Sequence, residues 1–269
     1  MPPPDYVHGY SARESQRLLD QSSVLEALLH RRERYRAGER VLEAGCGVGA
    51  QTVALARDNP EASFVSCDVS GESLAAARAR VAKAGLDNVR FEEANLYALP
   101  YGKAAFDHVF VCFVLEHLTE PERAIRALLR VLAPGGTLTV IEGDHGSVIM
   151  HPDSAAAHRA IEALVELQHR AGGDANIGRR LYPLLVDAGV ADVQVKLRTV
   201  YADASHPDRV RGFTLDTFTA MVEGVRDGAL AASLLDAATF DAGVAGLRRA
   251  AASDGTFTYT FFEAVGRHT

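Results

Sequence analysis

Val41–Thr52 reads VLEAGCGVGAQT: an apolar run, three glycines within five residues, then a stretch of helical character. A turn of this kind brings a ligand against bare backbone, and the helix behind it aims free N–H groups at negative charge. Gly45, Gly47 and Ala50 satisfy the dinucleotide spacing G-x-G-x-x-G/A. Gly45, Gly47 and Gly49 equally satisfy G-x-G-x-G, so the turn alone leaves the ligand open. Asp68 ends the next apolar run, SFVSCD, where a carboxylate can accept hydrogen bonds from both hydroxyls of a ribose. The plainer alternative is a strand-end or helix-capping aspartate. Together these residues point to an adenosine-type ligand without naming it.

Further residues narrow the chemistry. Glu43 lies two positions before the first glycine. A carboxylate there repels a pyrophosphate and suits the ammonium end of a methionine moiety. Asn95, just past a third apolar run in FEEANLYALP, offers an amide to the adenine edge. Tyr6, His8 and Tyr10 in DYVHGYS, and Glu142, Asp144, His145 and His151 in EGDHGSVIMH, supply groups for proton transfer. His145 reads either as a base held by Asp144 or as a loop residue bonding backbone. Glu116-His117 can shape the ligand pocket. There is no H-E-x-x-H and no facial-triad spacing, so no metal site is expected, even from the best cluster, Asp144 with His145 and His151. Cys46, Cys67 and Cys112 form no C-x-x-C pair and read as buried thiols of a reducing compartment.

These residues need a scaffold, and the hydrophobic pattern supplies one. Ser11 and Glu14 form a capping box that opens a first helix, with apolar residues at helical spacing from Leu18 to Leu29. From Arg40 onward, strand-like and helix-like segments alternate. The strands are RVLEAG, SFVSCD, VRFEEAN, FDHVFVCFV and TLTVIEGD; the helices between them stop at Asn59-Pro60, Gly85 and Pro134-Gly135-Gly136. The pattern predicts an α/β fold with a parallel sheet wound on both faces by helices. Helices are expected at Asp153–His169 and GRRLYPLLVDAGV, then a strand DVQVKLRTVYA, then helices over roughly 207–226 and 230–252. A last strand, TFTYTFFEAVG, alternates and looks antiparallel or edge-like. The expected organisation is one compact domain: a helical cap segment over 1–37, a nucleotide-binding core over 38–146, and 147–269 completing the sheet and carrying a helical substrate lid.

Glu43 with its glycine turn, FEEANLYALP, FDHVFVCFVLEHL and LLRVLAPGGTLTVIE occur in an order that resembles class I S-adenosylmethionine-dependent methyltransferases, chiefly the small-molecule branch. The resemblance covers Glu39 to Asp144. It implies a Rossmann-like, seven-stranded sheet whose last strand is antiparallel, and S-adenosyl-L-methionine as cofactor, released as S-adenosyl-L-homocysteine. It also implies that Glu43, Gly45, Cys46, Gly47 and Gln51 line the methionine end, that Asp68 holds the ribose, that Val69, Asn95 and Leu96 surround adenine, and that Phe113 sits near the sulfonium. Asn95 stands where many members carry aspartate, and Cys112 where many carry Asn or Ser. The segments YVHGYS and GDHGS are similar to methyltransferases of secondary metabolism, including enzymes that methylate indoles of tryptophan-derived diketopiperazines. On that basis the acceptor is an electron-rich hydrophobic aromatic, with indole carbon-3 as the candidate atom and His8, Tyr10 or His145 as the base. An O- or N-methyltransferase is the alternative within the class. A nicotinamide-dependent oxidoreductase and a non-catalytic S-adenosylmethionine-binding protein are the alternatives outside it.

Composition limits the partners. The net charge of −7 argues against a surface that coats nucleic acid. The basic run Arg31–Arg40 reads as a solvated helix end. No apolar stretch is long enough to span a bilayer, and the start MPPPDYVHGY has no secretory pattern, so a cytoplasmic protein is expected. The expected partner is a small molecule, with neither nucleic acid nor membrane. The extra helices suit a homodimer as well as a lid.

Overall fold

The computed structural model describes residues 34–269. Seven strands form one sheet in the order β3-β2-β1-β4-β5-β7-β6. They are β1 (Arg40–Ala44), β2 (Ser63–Asp68), β3 (Val89–Glu93), β4 (Phe106–Cys112), β5 (Leu132–His151), β6 (Ala191–Asp203) and β7 (Thr256–Arg267). β1 pairs in parallel with β2 on one side and β4 on the other. β3 and β5 extend the parallel set outward. The strand order therefore reverses at β1, and open sheets bind ligands beyond the carboxyl ends of the strands at such a point. β7 is antiparallel to β5: Gly135 N–H donates to the His268 carbonyl, and His268 N–H donates to that of Gly136.

The chain divides into two compact units. The first comprises residues 34–142, Gly178–Lys196 and Phe262–Thr269. Its helices are α1 (Thr52–Asp58), α2 (Gly71–Lys83), α3 (Pro121–Val131) and α5 (Leu181–Asp187). Val41, Leu42, Phe64, Cys67, Phe110 and Val111 are all at most 1% exposed, which is why these strands read as continuous apolar runs. Ser70 caps α2, its hydroxyl accepting from Ser73 N–H at 3.1 Å. The helix buries Leu74, Ala77 and Val81, the stripe expected of a period of 3.6.

The second unit comprises Gly143–Ile177 and Leu197–Phe261. It holds α4 (Ala155–Arg170), a π-helix (Val210–Thr219), α6 (Ala220–Gly224), α7 (Arg226–Ala231) and α8 (Ala237–Ala250). α4 and α8 approach closely because Gly243 has no side chain. A Cβ there would lie 2.6 Å from the Ala156 carbonyl and 2.7 Å from Ala160 Cβ.

Three expectations change. α3 ends at Val131 rather than at the glycines, because Leu132 is extended and pairs with Phe106, and the residue before Pro134 disfavours helix. The helix expected over 207–226 is largely a π-helix; Thr217 and Thr219 hydroxyls donate to the carbonyls of Gly212 and Thr214, five residues back. The helix expected over 230–252 is two helices, because Ser233 takes φ +55° and Asp236 starts a new N-terminus by accepting from Thr239 N–H at 2.8 Å.

Candidate active site

The glycine turn follows β1 at the switch point. Gly45 and Cys46 N–H both donate to the Cys67 carbonyl, at 2.8 and 2.9 Å, which ties the turn to the end of β2. Gly45, Gly47 and Gly49 have φ of +79°, +51° and +75°, a region costly for other residues. Gly49 also needs its missing side chain, since a Cβ would lie 2.9 Å from Ala77 Cβ on α2. Gly47 differs: no atom of the described residues lies within 4 Å of where its Cβ would be. Its bare face is open, as a ligand approaching the backbone requires.

Asp68 stands beside that opening. Its Oδ2 accepts from Gly47 N–H at 2.8 Å and its Oδ1 from Ser70 N–H at 2.9 Å. Asp68 does not itself cap α2, whose N-cap is Ser70; it braces the turn that leads into that helix. Each oxygen keeps a second lone pair that a ribose hydroxyl can use. Val69, the next residue, is an exposed apolar side chain at 43%, in keeping with a surface that an adenine ring covers. Asn95 is exposed and uses its Oδ1 to accept from Tyr97 N–H at 2.9 Å, which leaves its amide N–H groups facing outward from that bond. Leu96 behind it is buried.

Glu43 is 3% exposed. Ser66 and Thr52 hydroxyls donate to its Oε2 at 2.6 and 2.7 Å. Among the described residues both hydrogen bonds to this carboxylate fall on Oε2, so Oε1 is left for an incoming donor. Burial pushes the group up to about 7, against the pull of the two hydroxyls. Gln51 is the N-cap residue of α1 and is partly exposed at the same turn. Cys46 and Cys67 are buried; burial raises both thiols, Cys67 to about 12, so neither is a nucleophile at neutral pH.

Across the switch point, β4 ends at Cys112 and the chain turns sharply. Phe113 has φ +59°, a strained conformation for an aromatic residue, and its N–H donates to the Ile141 carbonyl at 2.9 Å. Glu142 follows Ile141 on β5 and is fully buried. Its Oε1 accepts from Val114 and Leu115 N–H at 3.0 and 2.7 Å. Burial, and then the nearby Glu116 carboxylate, hold Glu142 well above the usual carboxylate range. Glu116 in turn lies 3.5 Å from His117 Nε2. The sequence reading placed Glu142 only among groups at a strand end; its bond to a turn 27 and 28 residues away has no local signal.

The other proposed proton-transfer groups lie outside this unit or outside the described residues. Tyr6, His8 and Tyr10 lie outside the described residues. His145 lies in the second unit and is not in a loop, because β5 continues to His151. Its partner is the Tyr259 hydroxyl, 2.9 Å from Nδ1, within a group of buried rings that includes Phe213, Phe218, Phe257 and Phe261. Asp144 beside it is also buried. Phe213, Phe218 and Phe240 are at most 1% exposed and are core residues. Among the described residues no three His, Cys, Asp or Glu side chains are grouped to hold a metal ion, and no helix is long and apolar enough to cross a membrane.

A glycine turn at the switch point, a strand-end aspartate bound to it, and an antiparallel final strand define a Rossmann-like α/β domain of the kind that binds ligands at such a point. Residues 41–136 match the family model described as "Methyltransferase domain". Methyltransferases are among the curated proteins and solved structures that the chain resembles, and one of those structures holds S-adenosyl-L-methionine. It is 28% identical to the 27-O-demethylrifamycin SV methyltransferase of Amycolatopsis mediterranei, over 87% of this chain and 80% of that protein. It is 39% identical to the demethylmenaquinone methyltransferase of Thermus thermophilus, over 40% of this chain and 48% of that protein. Its fold is similar to that of the [4+2]-cyclase SpnF, with a TM-score of 0.56 and 25% identity over 91% of this chain and 80% of that one. Against several of the curated relatives it matches, the chain spans about half of their length or less.

Proposed function

We propose that this protein transfers the methyl group of S-adenosyl-L-methionine to a small-molecule acceptor. The observation that carries the reading is the open face over Gly47, with the carboxylate of Asp68 bonded to the N–H of that same residue. In this reading Glu43 Oε1 receives the ammonium group, the backbone of Gly45, Cys46 and Gly47 and the side chain of Gln51 line the methionine end, and Asp68 accepts from the ribose. Val69, Asn95 and Leu96 surround adenine. The cofactor, when bound, supplies a methyl carbon activated by its sulfonium. The protein then has to hold the acceptor opposite the sulfur, exclude water and accept a proton. Holding two reactants in line is worth about 7–11 kcal/mol, so a dedicated base is not essential.

For the acceptor we propose a hydrophobic aromatic secondary metabolite, with indole carbon-3 of a tryptophan-derived diketopiperazine as the first candidate. There the carbon attacks the methyl, the carbon–sulfur electron pair passes to sulfur, and the indole proton goes to His8, Tyr10 or His145. A relative named for a 27-O-demethylated rifamycin supports a secondary metabolite and makes O-methylation the second reading. The setting we propose is cytoplasmic, and a homodimer is one form the chain can take.

The test is calorimetric titration of the protein with S-adenosylmethionine, S-adenosylhomocysteine and NADH, repeated on Asp68→Ala. The expected result is micromolar binding of both sulfur nucleotides, loss of it in the variant, and no binding of NADH. Mass-spectrometric assay of indole diketopiperazines and hydroxylated aromatics then distinguishes carbon from oxygen acceptors. Absence of sulfur-nucleotide binding to the wild-type protein would overturn the reading.

A further inference from the structure

Glu142 is unusual among the acidic groups of the first unit. It is fully buried, its Oε1 is bonded to two backbone N–H groups, and its Oε2 is buried with no hydrogen-bond partner among the described residues. A carboxyl group with one bare oxygen is expensive to bury. Its bonds lead directly to the cofactor turn. The two N–H groups belong to Val114 and Leu115, which begin the one-turn 3₁₀ helix Leu115–His117. Val114 packs where Gly45 lacks a side chain: a Cβ on Gly45 would lie 2.5 Å from Val114 Cγ2. Phe113, one residue earlier, is held in its strained conformation by a bond to Ile141, the neighbour of Glu142 on β5. One side chain therefore pins the turn that closes on the glycine loop from the β4 side.

We propose that Glu142 is a positioning residue for the cofactor: by holding the backbone of Val114 and Leu115 it seats Val114 against Gly45 and fixes Phe113, and this sets the affinity for the sulfur nucleotide. The inference rests on the methyltransferase reading above. Burial and the neighbouring Glu116 keep Glu142 uncharged over a wider pH range than an ordinary carboxylic acid. Glutamine, an acceptor oxygen beside an uncharged donor, reproduces that state. Alanine leaves two N–H groups without their acceptor.

The experiment measures S-adenosylhomocysteine affinity by calorimetry in wild type, Glu142→Gln, Glu142→Ala and Val114→Ala, with a thermal melt of each to set a temperature at which it is folded. Glu142→Ala is expected to bind about tenfold or more weaker, and Glu142→Gln to restore affinity to within about threefold of wild type. Val114→Ala is expected to bind about threefold to tenfold weaker with Glu142 intact, because it removes the contact through which the turn meets Gly45. The double variant Glu142→Ala/Val114→Ala should lose less than the product of the single effects, since both act through one turn. A purely structural Glu142 lowers the melting temperature and leaves the affinity of folded protein unchanged; that result overturns the proposal. So does wild-type affinity in Val114→Ala, which stays decisive if Glu142→Ala does not fold. A wild-type protein that binds no sulfur nucleotide is a different failure, that of the methyltransferase reading itself.

Discussion

Gly47→Ala and Gly49→Ala put the same methyl group two residues apart in one turn, and the structure expects opposite consequences. Both positions have positive φ, +51° and +75°, so each variant bears the left-handed strain of an L residue, roughly 1–2 kcal/mol. At Gly49 the new Cβ also meets Ala77 Cβ at 2.9 Å and Ala77 Cα at 3.0 Å, and backbone cannot move aside as a flexible side chain does. Overpacking of this kind adds about 1–3 kcal/mol. At Gly47 no atom of the described residues lies within 4 Å, so among them strain is the cost to the free protein. With about 2–4 °C of melting temperature per kcal/mol for a chain of this size, Gly47→Ala should lower the melting temperature by about 2–8 °C, and Gly49→Ala by clearly more. Binding should distinguish them in the other sense. The methyl group of Gly47→Ala occupies the face over which the ligand is proposed to lie, and S-adenosylhomocysteine should bind at least about tenfold weaker, ~1.4 kcal/mol. Thermal melts with and without S-adenosylhomocysteine, followed by calorimetry, give both quantities. Equal melting temperatures, or a Gly47→Ala affinity within twofold of wild type, would refute the reasoning.

Asp68→Ala removes the acceptor of Gly47 and Ser70 N–H as well as the proposed ribose contact, and should weaken S-adenosylhomocysteine binding by about ten- to a hundredfold, checked by the same titration. Glu43 carries a pH signature. Its folded value of about 7 lies above the unfolded value of 4.5, so the folded state holds this proton more tightly. Its contribution to stability is thus greatest below about 4.5, falls as pH rises toward 7, and is constant above; the full span is up to about 3 kcal/mol. Glu43→Gln cannot ionise, so its melting temperature relative to wild type should be more favourable at pH 8 than at pH 5, and a difference independent of pH counts against the buried titration. In the second unit, a Cβ at Gly143 would collide with the Tyr259 hydroxyl. Gly143→Ala should therefore lower the melting temperature more than Tyr259→Phe, which removes the hydroxyl bonded to His145; the reverse order on thermal melting counts against that packing.

How much of this was readable before folding depends on how far apart the interacting residues lie in the chain. The alternation of strand and helix, the glycine turn, the strand-end aspartate and the antiparallel last strand could all be read because each rests on local periodicity or turn chemistry, and a turn with three glycines has few uses. The same local rules misplaced the boundaries at Leu132, at the π-helix and at Ser233, where strand pairing or a single residue of positive φ overrode helix propensity. They misplaced His145 for a related reason: GDHGS looks like a loop, yet β5 runs through it, and the partner of His145 is Tyr259, 114 residues away.

Sequence alone, then, pointed to an adenosine-type ligand, since the glycines and Asp68 are spaced by one strand, one turn and one more strand. Tertiary structure alone decided which glycine faces open space and which faces Ala77, that Glu43 is bonded by Ser66 and Thr52, and that Glu142 holds the turn behind Phe113. Those facts depend on burial and on hydrogen bonds between strands distant in sequence. A carboxyl group carries no mark in its own neighbourhood of whether it will face water or the backbone of another strand.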